Sequence, residues 1–264
     1  MINFILSLPS FLMISLAILT GAVFSVTALF ILRKKLHWES FKENHEVGGF
    51  LFNALGLIYA VLIAFVVYAT WEDYNSAREY CDNEADVLQS LYLNTEGLPE
   101  KSQPVLREKI LEYMKMVIEE DWPLLAKGEA NPKSRHKLIE IWNAYNGIDS
   151  LNTDKEQIFF SESLDKLNSV TEYRRQRILS CQNHIPVVVW TVIIIGALTS
   201  IGFSLFFGTR SFVIQATMTT LFAMTNIIVI LMILALDHPF TGDIKVSSDA
   251  FEQIYKYLLE EMPK

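Results

Sequence analysis

One stretch of sequence, residues 48–91, constrains the fold more than any other. Its first half, from Gly49 to Trp71, contains no charged residue. At about 1.5 Å per residue, a helix of this length is about 35 Å long, which is enough to cross a hydrocarbon core of about 30 Å. From Glu72 to Leu91 the sequence becomes charged, but it has no Gly or Pro that would end the helix. An apolar stripe continues through this part at spacings of three or four and is expected to face inward: Tyr74, Ala77, Cys81, Ala85, Leu88 and Leu91 or Tyr92. We therefore predict one helix that spans a membrane and continues into water.

The membrane-spanning half of this helix carries a stripe of small residues. They recur at spacings of three or four, which places them on one helical face: Gly49, Asn53, Gly56, Ala60 and Ala64. In lipid, small side chains let a second helix approach closely, so the simpler interpretation is a helix-packing surface. The alternative is that the stripe faces the axial pore of an oligomer.

Three further apolar runs complete the predicted membrane part. They cover residues 8–32, 185–207 and 212–236, and with residues 48–71 they make four spans. In the first run the basic cluster follows the apolar stretch, whereas a signal peptide carries its positive charge before it. We therefore expect a retained span. The short connection between the last two runs predicts an antiparallel hairpin.

The long segment between spans two and three, residues 72–184, has a net charge of −7 and helical periodicity without strand alternation. We predict a helix that begins near Pro104 and ends at Trp122-Pro123, followed by helices over 134–145 and 154–181. The tail, residues 237–264, adds an amphipathic helix. The predicted fold class is all-α, an integral membrane protein with four transmembrane helices and an extramembrane antiparallel helical bundle inserted between spans two and three.

The charge distribution gives an orientation. The loop 33–47 begins with a basic cluster directly after the first span, so the positive-inside rule places it in the cytoplasm of a cell with a plasma (inner) membrane. The N-terminus, the helical domain and the C-terminus are then extracytoplasmic. Arg174, Arg175 and Arg177, just before the third span, argue for the opposite orientation.

Two groups of polar residues are candidates for function. Side chains at spacings of four and seven on the fourth span usually form hydrogen bonds across helices, but they could line a hydrated path: Gln215, Thr219 and Asn226. Acidic residues lie at the predicted outer ends of spans two and four, where oligomer symmetry would multiply them into rings that attract cations: Glu72, Asp73, Asp237 and Asp243.

Other reactive residues point to no specific chemistry. His184 and His238 are predicted at the same membrane boundary as these acidic residues, so an ion site is conceivable, although a solvated rim is the simpler interpretation. Cys81 and Cys181 either pair or are free core residues. The sequence has no phosphate loop, GxSxG or HExxH motif, so we expect no enzyme activity and no cofactor. The sequence does not identify a bound ion or the residues that would hold a metal.

Several segments resemble one known family. The run GGFLFNALGLIYAVLIAFVVYATWEDY with the following NEAD, the later YMKMVIEEDWP, and DHPFTGDIKVS after the last span are similar to the bestrophin-like family of bacterial membrane proteins. The similarity begins at about Asn44. It implies four spans, a helical domain between spans two and three, and a distant kinship to the pentameric bestrophin anion channels. The sequence does not match the bestrophin pore-neck pattern or calcium-clasp cluster, so chloride selectivity and calcium gating are not expected.

Together these observations predict an oligomeric ion channel that prefers cations or selects weakly. Its expected partners are membrane lipids, permeant ions and further copies of itself, in a tetramer or a pentamer. The alternative is a non-conducting sensor or scaffold whose helical domain binds a ligand or partner. Nucleic acid is not expected, because the net charge is −8 and phosphate binding requires clustered Lys and Arg.

Overall fold

The computed structural model describes residues 9–35, 45–209 and 211–260, and these residues form helices and connecting turns without a strand. The helices are α1 (Ser10–Lys35), α2 (His45–Asn94), α3 (Gln103–Met116), α4 (Trp122–Leu125), α5 (Pro132–Asn146), α6 (Asp154–Gln182), α7 (Val187–Ser204), α8 (Phe212–Leu236) and α9 (Asp249–Glu260). The described chain divides into two compact units. The first contains the residues up to 72, 184–237 and 242–244, and the second contains 73–183, 238–241 and 245 onward.

The first unit is the membrane part. Helices α1, α2, α7 and α8 are long and apolar enough to cross a membrane, which confirms the prediction of four transmembrane helices. α8 has the predicted bounds, whereas α1 continues beyond residue 32 to Lys35 and α7 ends at Ser204. A helix does not have to end where the apolar run ends, because long basic side chains reach away from the hydrocarbon. Residues 36–44, most of the predicted basic loop, lie outside the described residues.

The second unit is built around the extension of α2. This helix is unbroken from His45 to Asn94, as the sequence predicted. Its predicted inward stripe is confirmed, because every member from position 77 onward is almost completely buried: Ala77, Cys81, Ala85, Leu88, Leu91 and Tyr92. α3 packs against α5, and α9 packs against α3 through the buried Phe251 and Leu258.

The predicted end of the third helix was wrong. Trp122 and Pro123 do not terminate it; α3 passes through a π-helical turn, Val117–Asp121, into the short helix α4. Pro123 lies in the first turn of α4, directly after the π turn, so the wider turn and the proline occur together. The wider π turn also directs the carboxylate of Asp121 into the interior, where it is 2 % exposed.

The two cysteines are free thiols in one buried cluster with Ala77, Leu125 and Phe240. Burial raises the pKa of Cys81 strongly and raises the pKa of Cys181 to about 11. The Arg177 charge, which lowers both values, does not offset this effect. Because only the thiolate is reactive, both thiols should be inert in the folded protein.

We expect maleimide to label neither cysteine at pH 7 unless the protein is unfolded, and mass spectrometry of the labelled chain measures this. Because the pKa values of both thiols are raised in the folded protein, they also make its stability depend on pH. The contribution of the two thiols to the free energy of unfolding is fully present below their unfolded pKa of 9.0. It is lost as pH rises through their folded pKa values. Stability that did not change between pH 8 and pH 11, or that rose, would contradict this expectation.

Candidate functional site

The membrane-spanning part of α2 has one face that packs within its own chain. The Phe52 ring lies 5.7 Å from Phe203, 5.3 Å from Phe207 and 5.8 Å from Phe222, measured between ring centroids. One turn and more along the helix, the Tyr59 hydroxyl donates a hydrogen bond to the Ile193 carbonyl at 3.1 Å. This aromatic face holds α2 against α7 and α8.

The stripe of small residues lies beside this aromatic face and is uncovered. Asn53, Ala60 and Ala64 are exposed, and a Cβ added at Gly49 or Gly56 would meet no atom within 4 Å. In the described part of the chain, no helix packs on the stripe. A partner that packs there must therefore come from another molecule, and otherwise the stripe is open to line an axis.

The third face of α2 carries large apolar side chains. Phe50, Leu57, Ile58 and Phe65 are between 68 % and 75 % exposed. Large apolar side chains in this position are typical of a lipid-facing surface. The helix therefore has three distinct faces. Among the described residues, only the stripe combines small side chains with the absence of contacts to its own chain.

The polar residues of α8 have different surroundings. The Gln215 side-chain oxygen accepts hydrogen bonds from Arg33, from Nε at 3.1 Å and from Nη2 at 2.5 Å, and its nitrogen donates to the Leu205 carbonyl at 3.0 Å. Thr219 is buried, and the Asn226 amide donates to Phe222 within its own helix. Gln215 thus bridges α1 and the connection between α7 and α8.

The four predicted acidic residues do not share one environment. Glu72, Asp73 and Asp243 are exposed, but Asp237 is only 7 % exposed. Its Oδ1 accepts a hydrogen bond from the Ile185 backbone N–H at 2.7 Å. Its backbone carbonyl lies 2.9 Å from His184 Nδ1. The Asp237 carboxylate therefore positions the segment before α7 and does not belong with the exposed acidic residues.

The second unit contains a buried network of charged side chains that the sequence analysis did not identify. Arg177 and Glu84 are both fully buried, and Arg177 Nε donates to Glu84 Oε2 at 2.7 Å. Arg177 Nη1 also lies 3.0 Å from Asp121 Oδ2. The Tyr113 hydroxyl donates to Glu84 Oε1 at 2.5 Å. This group of side chains, which we call the Arg177 network, joins α2, α3, the π turn and α6.

Further contacts extend the Arg177 network to three other helices, α4, α5 and α9. The Asn131 amide donates to Asp121 at 2.9 Å, and the Ser134 hydroxyl donates to it at 3.2 Å. The Arg177 guanidinium also lies over the rings of Trp122 and Phe251, at 5.6 Å and 5.8 Å from their centroids. One fully buried cation on α6 therefore contacts residues from α2, α4, α9 and the π turn.

The electrostatics of the network follow from burial and charge. Burial alone lowers the pKa of Arg177, but the charges of Glu84 and Asp121 outweigh this and raise it well above its usual value. Burial, followed by the Glu84 charge, raises the pKa of Tyr113. Arg177 is thus permanently charged and Tyr113 stays a hydrogen-bond donor at neutral pH, so both hold their partners in place.

A signal for this network was present in the sequence. Glu84 lies three residues after Cys81 and four before Leu88, on the inward face of α2. Arg177 likewise lies four residues before Cys181 on the inward face of α6. A charged residue at an inward position predicts a buried partner of opposite charge, although it does not say which one. Arg33 carried no such signal, because its partner depends on the pairing of α1 with α8.

Comparison with known proteins agrees with this architecture. The Bestrophin-like domain matches residues 17–251, most of the chain. The chain belongs to the Bestrophin-like family. No curated protein matches the sequence significantly.

Solved structures are similar to this Bestrophin-like protein over nearly its whole length. A bacterial bestrophin homolog from Klebsiella pneumoniae, solved by Zn-SAD phasing, is 13 % identical, with a TM-score of 0.69 and coverage of 94 % of this chain and 97 % of that chain. A single-substitution variant from the same organism gives a TM-score of 0.71 at 13 % identity, with coverage of 95 % and 99 %. The crystal structure of a single-substitution variant of a membrane protein is 12 % identical, with a TM-score of 0.68 and coverage of 94 % of this chain and 97 % of that chain. At these identities the similarity shows the fold.

Proposed function

We propose that this Bestrophin-like protein is an oligomeric ion channel in which the stripe of α2 lines or closely flanks the axis. The observation that supports it most is that the stripe is uncovered. Of the two other faces of α2, one packs through aromatic residues on its own chain and the other carries large apolar side chains typical of a lipid-facing surface. Symmetry around the stripe would place small side chains and Asn53 around a path across the membrane, as a pore lining requires. Four or five copies are the expected stoichiometry.

Ion flux from liposomes that contain the purified protein tests this proposal. Cysteine variants on the stripe, Asn53→Cys and Ala60→Cys, should lose most of their flux when treated with a charged methanethiosulfonate reagent. Leu57→Cys and Phe65→Cys, on the bulky face, are the matched controls and should keep it. The native thiols do not interfere because both are buried. Absence of flux across different salts, pH values and calcium levels would reject the channel.

We further propose that the channel prefers cations or selects weakly. Glu72 and Asp73 are exposed, and symmetry would repeat each of them around the oligomer. In a salt gradient, the reversal potential of the wild type should lie toward the cation equilibrium potential. The double change Glu72→Gln and Asp73→Asn should move it toward zero. A wild-type potential near the chloride equilibrium value, unchanged in this variant, would exclude a role for these carboxylates.

The orientation stays a prediction, and the structure changes the charges on which it depends. Arg33 is hydrogen-bonded to Gln215, so among the described residues Lys34 and Lys35 are the exposed bases in the last turn of α1. Arg177 is buried in its network and no longer argues for the opposite orientation. Glu129 is exposed, and a Glu129→Cys variant labelled by an impermeant maleimide only from the cytoplasmic side would reverse the proposed orientation.

A non-conducting sensor or scaffold is the second candidate, and one observation favours it. α2 is unbroken from the membrane part to the Arg177 network, so a change at Glu84 acts on the same helix that carries the stripe. The scaffold predicts an oligomer whose stripe is tightly packed and closed to aqueous reagents. The cysteine variants described above therefore separate the two functions, since they are accessible only in the channel.

A further inference from the structure

A groove between α5 and α6 in the second unit differs in charge from its surroundings. It has a volume of about 460 Å³, and it is lined by three arginines, Arg135, Arg174 and Arg175, and one acid, Glu172. The segment 72–184 that contains it has a net charge of −7. A cluster of three guanidinium groups is unusual in such an acidic segment, because most of its basic side chains have carboxylates nearby.

Two of these arginines have no carboxylate partner. Arg175 is paired with Glu172, but neither Arg135 nor Arg174 forms an ion pair within the described residues. Arg174 is only 9 % exposed. Its Nη2 donates to the Asn131 carbonyl at 3.1 Å and to the Ser134 hydroxyl at 3.2 Å, and its Nε has no hydrogen-bond partner within the described residues. Ser134 also donates to Asp121, so the nearest carboxylate is one hydrogen bond away from Arg174, but the unused Nε donor of this buried cation is unfavourable.

The rest of the groove is apolar. Leu138, Ile139 and Trp142 come from α5, and Ile178 and Leu179 come from α6. Ile139 is 43 % exposed, so this large apolar side chain is open to a ligand. The Trp142 indole N–H donates to Thr171 Oγ1 at 3.2 Å, so the ring is held in a fixed position at the edge of the groove. An apolar floor beside fixed cations suits a molecule with an apolar body and an anionic head.

We propose that this basic groove binds a small organic anion, a phosphate or carboxylate attached to an aromatic or aliphatic body. Arg174 and Arg135 bind the anionic head, since guanidinium groups match the geometry of phosphate and carboxylate oxygens. Trp142 and Ile139 contact the body. The same chemistry is present in a free organic phosphate and in the headgroup region of an anionic lipid.

The test is calorimetric titration of the full chain in phosphatidylcholine nanodiscs with phenyl phosphate as the probe. We expect saturable binding of one phenyl phosphate per chain. Inorganic phosphate, which lacks the apolar body, and benzyl alcohol, which lacks the charge, should each bind about tenfold more weakly or worse. Absence of phenyl phosphate binding, or equal binding of all three molecules, would overturn the proposal.

Variants place the binding in the groove. Arg135→Gln and Ile139→Glu, both at exposed positions, should weaken phenyl phosphate binding by about tenfold or more, the first by removing a cation and the second by adding an anion. Arg78→Gln is the control, because Arg78 is an exposed arginine outside the groove that pairs with Asp82 at 3.7 Å. Unchanged affinity in Arg135→Gln and Ile139→Glu would reject the site. Arg174→Gln is the stronger change, and it is informative provided that its circular dichroism matches the wild type.

The two sources of the anion are separated by the lipid. Phosphatidylglycerol in the nanodiscs should weaken phenyl phosphate binding if a lipid headgroup occupies the groove, and this competition should disappear in Arg135→Gln. If phosphatidylglycerol does not change the affinity for phenyl phosphate, the ligand of the groove is a free organic anion. Neither result depends on ion flux, so the groove and the channel can fail independently.

Discussion

Replacing Arg177 with methionine is expected to destabilise the second unit by about 3–5 kcal/mol. Methionine is a long apolar side chain that fits beside Trp122 and Phe251, but the change removes the guanidinium from their rings and leaves Glu84 and Asp121 buried without their cation. Hydrogen–deuterium exchange of the full chain in nanodiscs measures this effect. Peptides from α3 and α6 should exchange about a hundredfold faster or more, because exchange in a stable unit reports the free energy of opening.

Two controls separate the loss of charge pairing from a general effect of mutation. Arg175→Met removes an arginine of the same helix whose ion pair with Glu172 is exposed, and it should leave exchange almost unchanged. The triple change Glu84→Gln, Asp121→Asn and Arg177→Met removes the charges together, and it should recover part of the lost stability. If the triple variant is as unstable as Arg177→Met alone, uncompensated charge is not the cause.

The second large effect is expected from Gly196→Ala in α7. The Tyr59 ring lies directly on Gly196, and an added Cβ would overlap its Cδ2 and Cε2 atoms. The ring cannot simply turn away, because its hydroxyl is bonded to the Ile193 carbonyl. Overpacking of this kind costs about 1–3 kcal/mol, so the melting temperature in nanodiscs should fall by several degrees. Since Tyr59 and the stripe belong to the same helix, ion flux should fall as well.

Gly202 provides a matched control on the same helix. A Cβ added at Gly202 would meet no atom within 4 Å, so Gly202→Ala should be neutral or slightly stabilising. A second variant tests the cause directly. Tyr59→Leu combined with Gly196→Ala removes the ring that the new methyl group meets, and it should be more stable than Gly196→Ala alone. Equal melting temperatures for Gly196→Ala and Gly202→Ala would show that the aromatic contact does not determine how α2 packs on α7.

Local pattern was sufficient for the helices themselves. The apolar run and its charged continuation predicted α2 as one long helix, and the spacing of apolar residues predicted its buried face from Ala77 to Leu91. The bounds of α6 and α8 were close to those expected. Helical periodicity and the length of apolar runs are properties of neighbouring residues, so they can be read without knowing which helices pack together.

Ion pairing could be predicted only in part. The inward positions of Glu84 and Arg177 indicated that each needs a partner, but they lie far apart in the sequence and meet only when α2 and α6 pack. The π turn that brings Asp121 to the same cation was predicted as a helix end at Trp122-Pro123. Asp237 was expected to be exposed, whereas the structure buries it against the Ile185 amide. Each of these outcomes depends on a contact between distant segments.

The sequence by itself determined that this protein is helical, that it has four membrane-spanning helices and that α2 carries small residues on one face. Only the tertiary structure decided which face of α2 its own chain covers, because Phe52 and Tyr59 pack there, whereas the sequence had favoured the stripe of small residues as the packing surface. The structure also decided that Arg177 is buried with two carboxylates, whereas Arg135 and Arg174 form no ion pair with any residue that the structure describes. The reason is physical: the period of a helix is set by its own backbone, whereas charge compensation and packing are set by whichever segments the fold brings together.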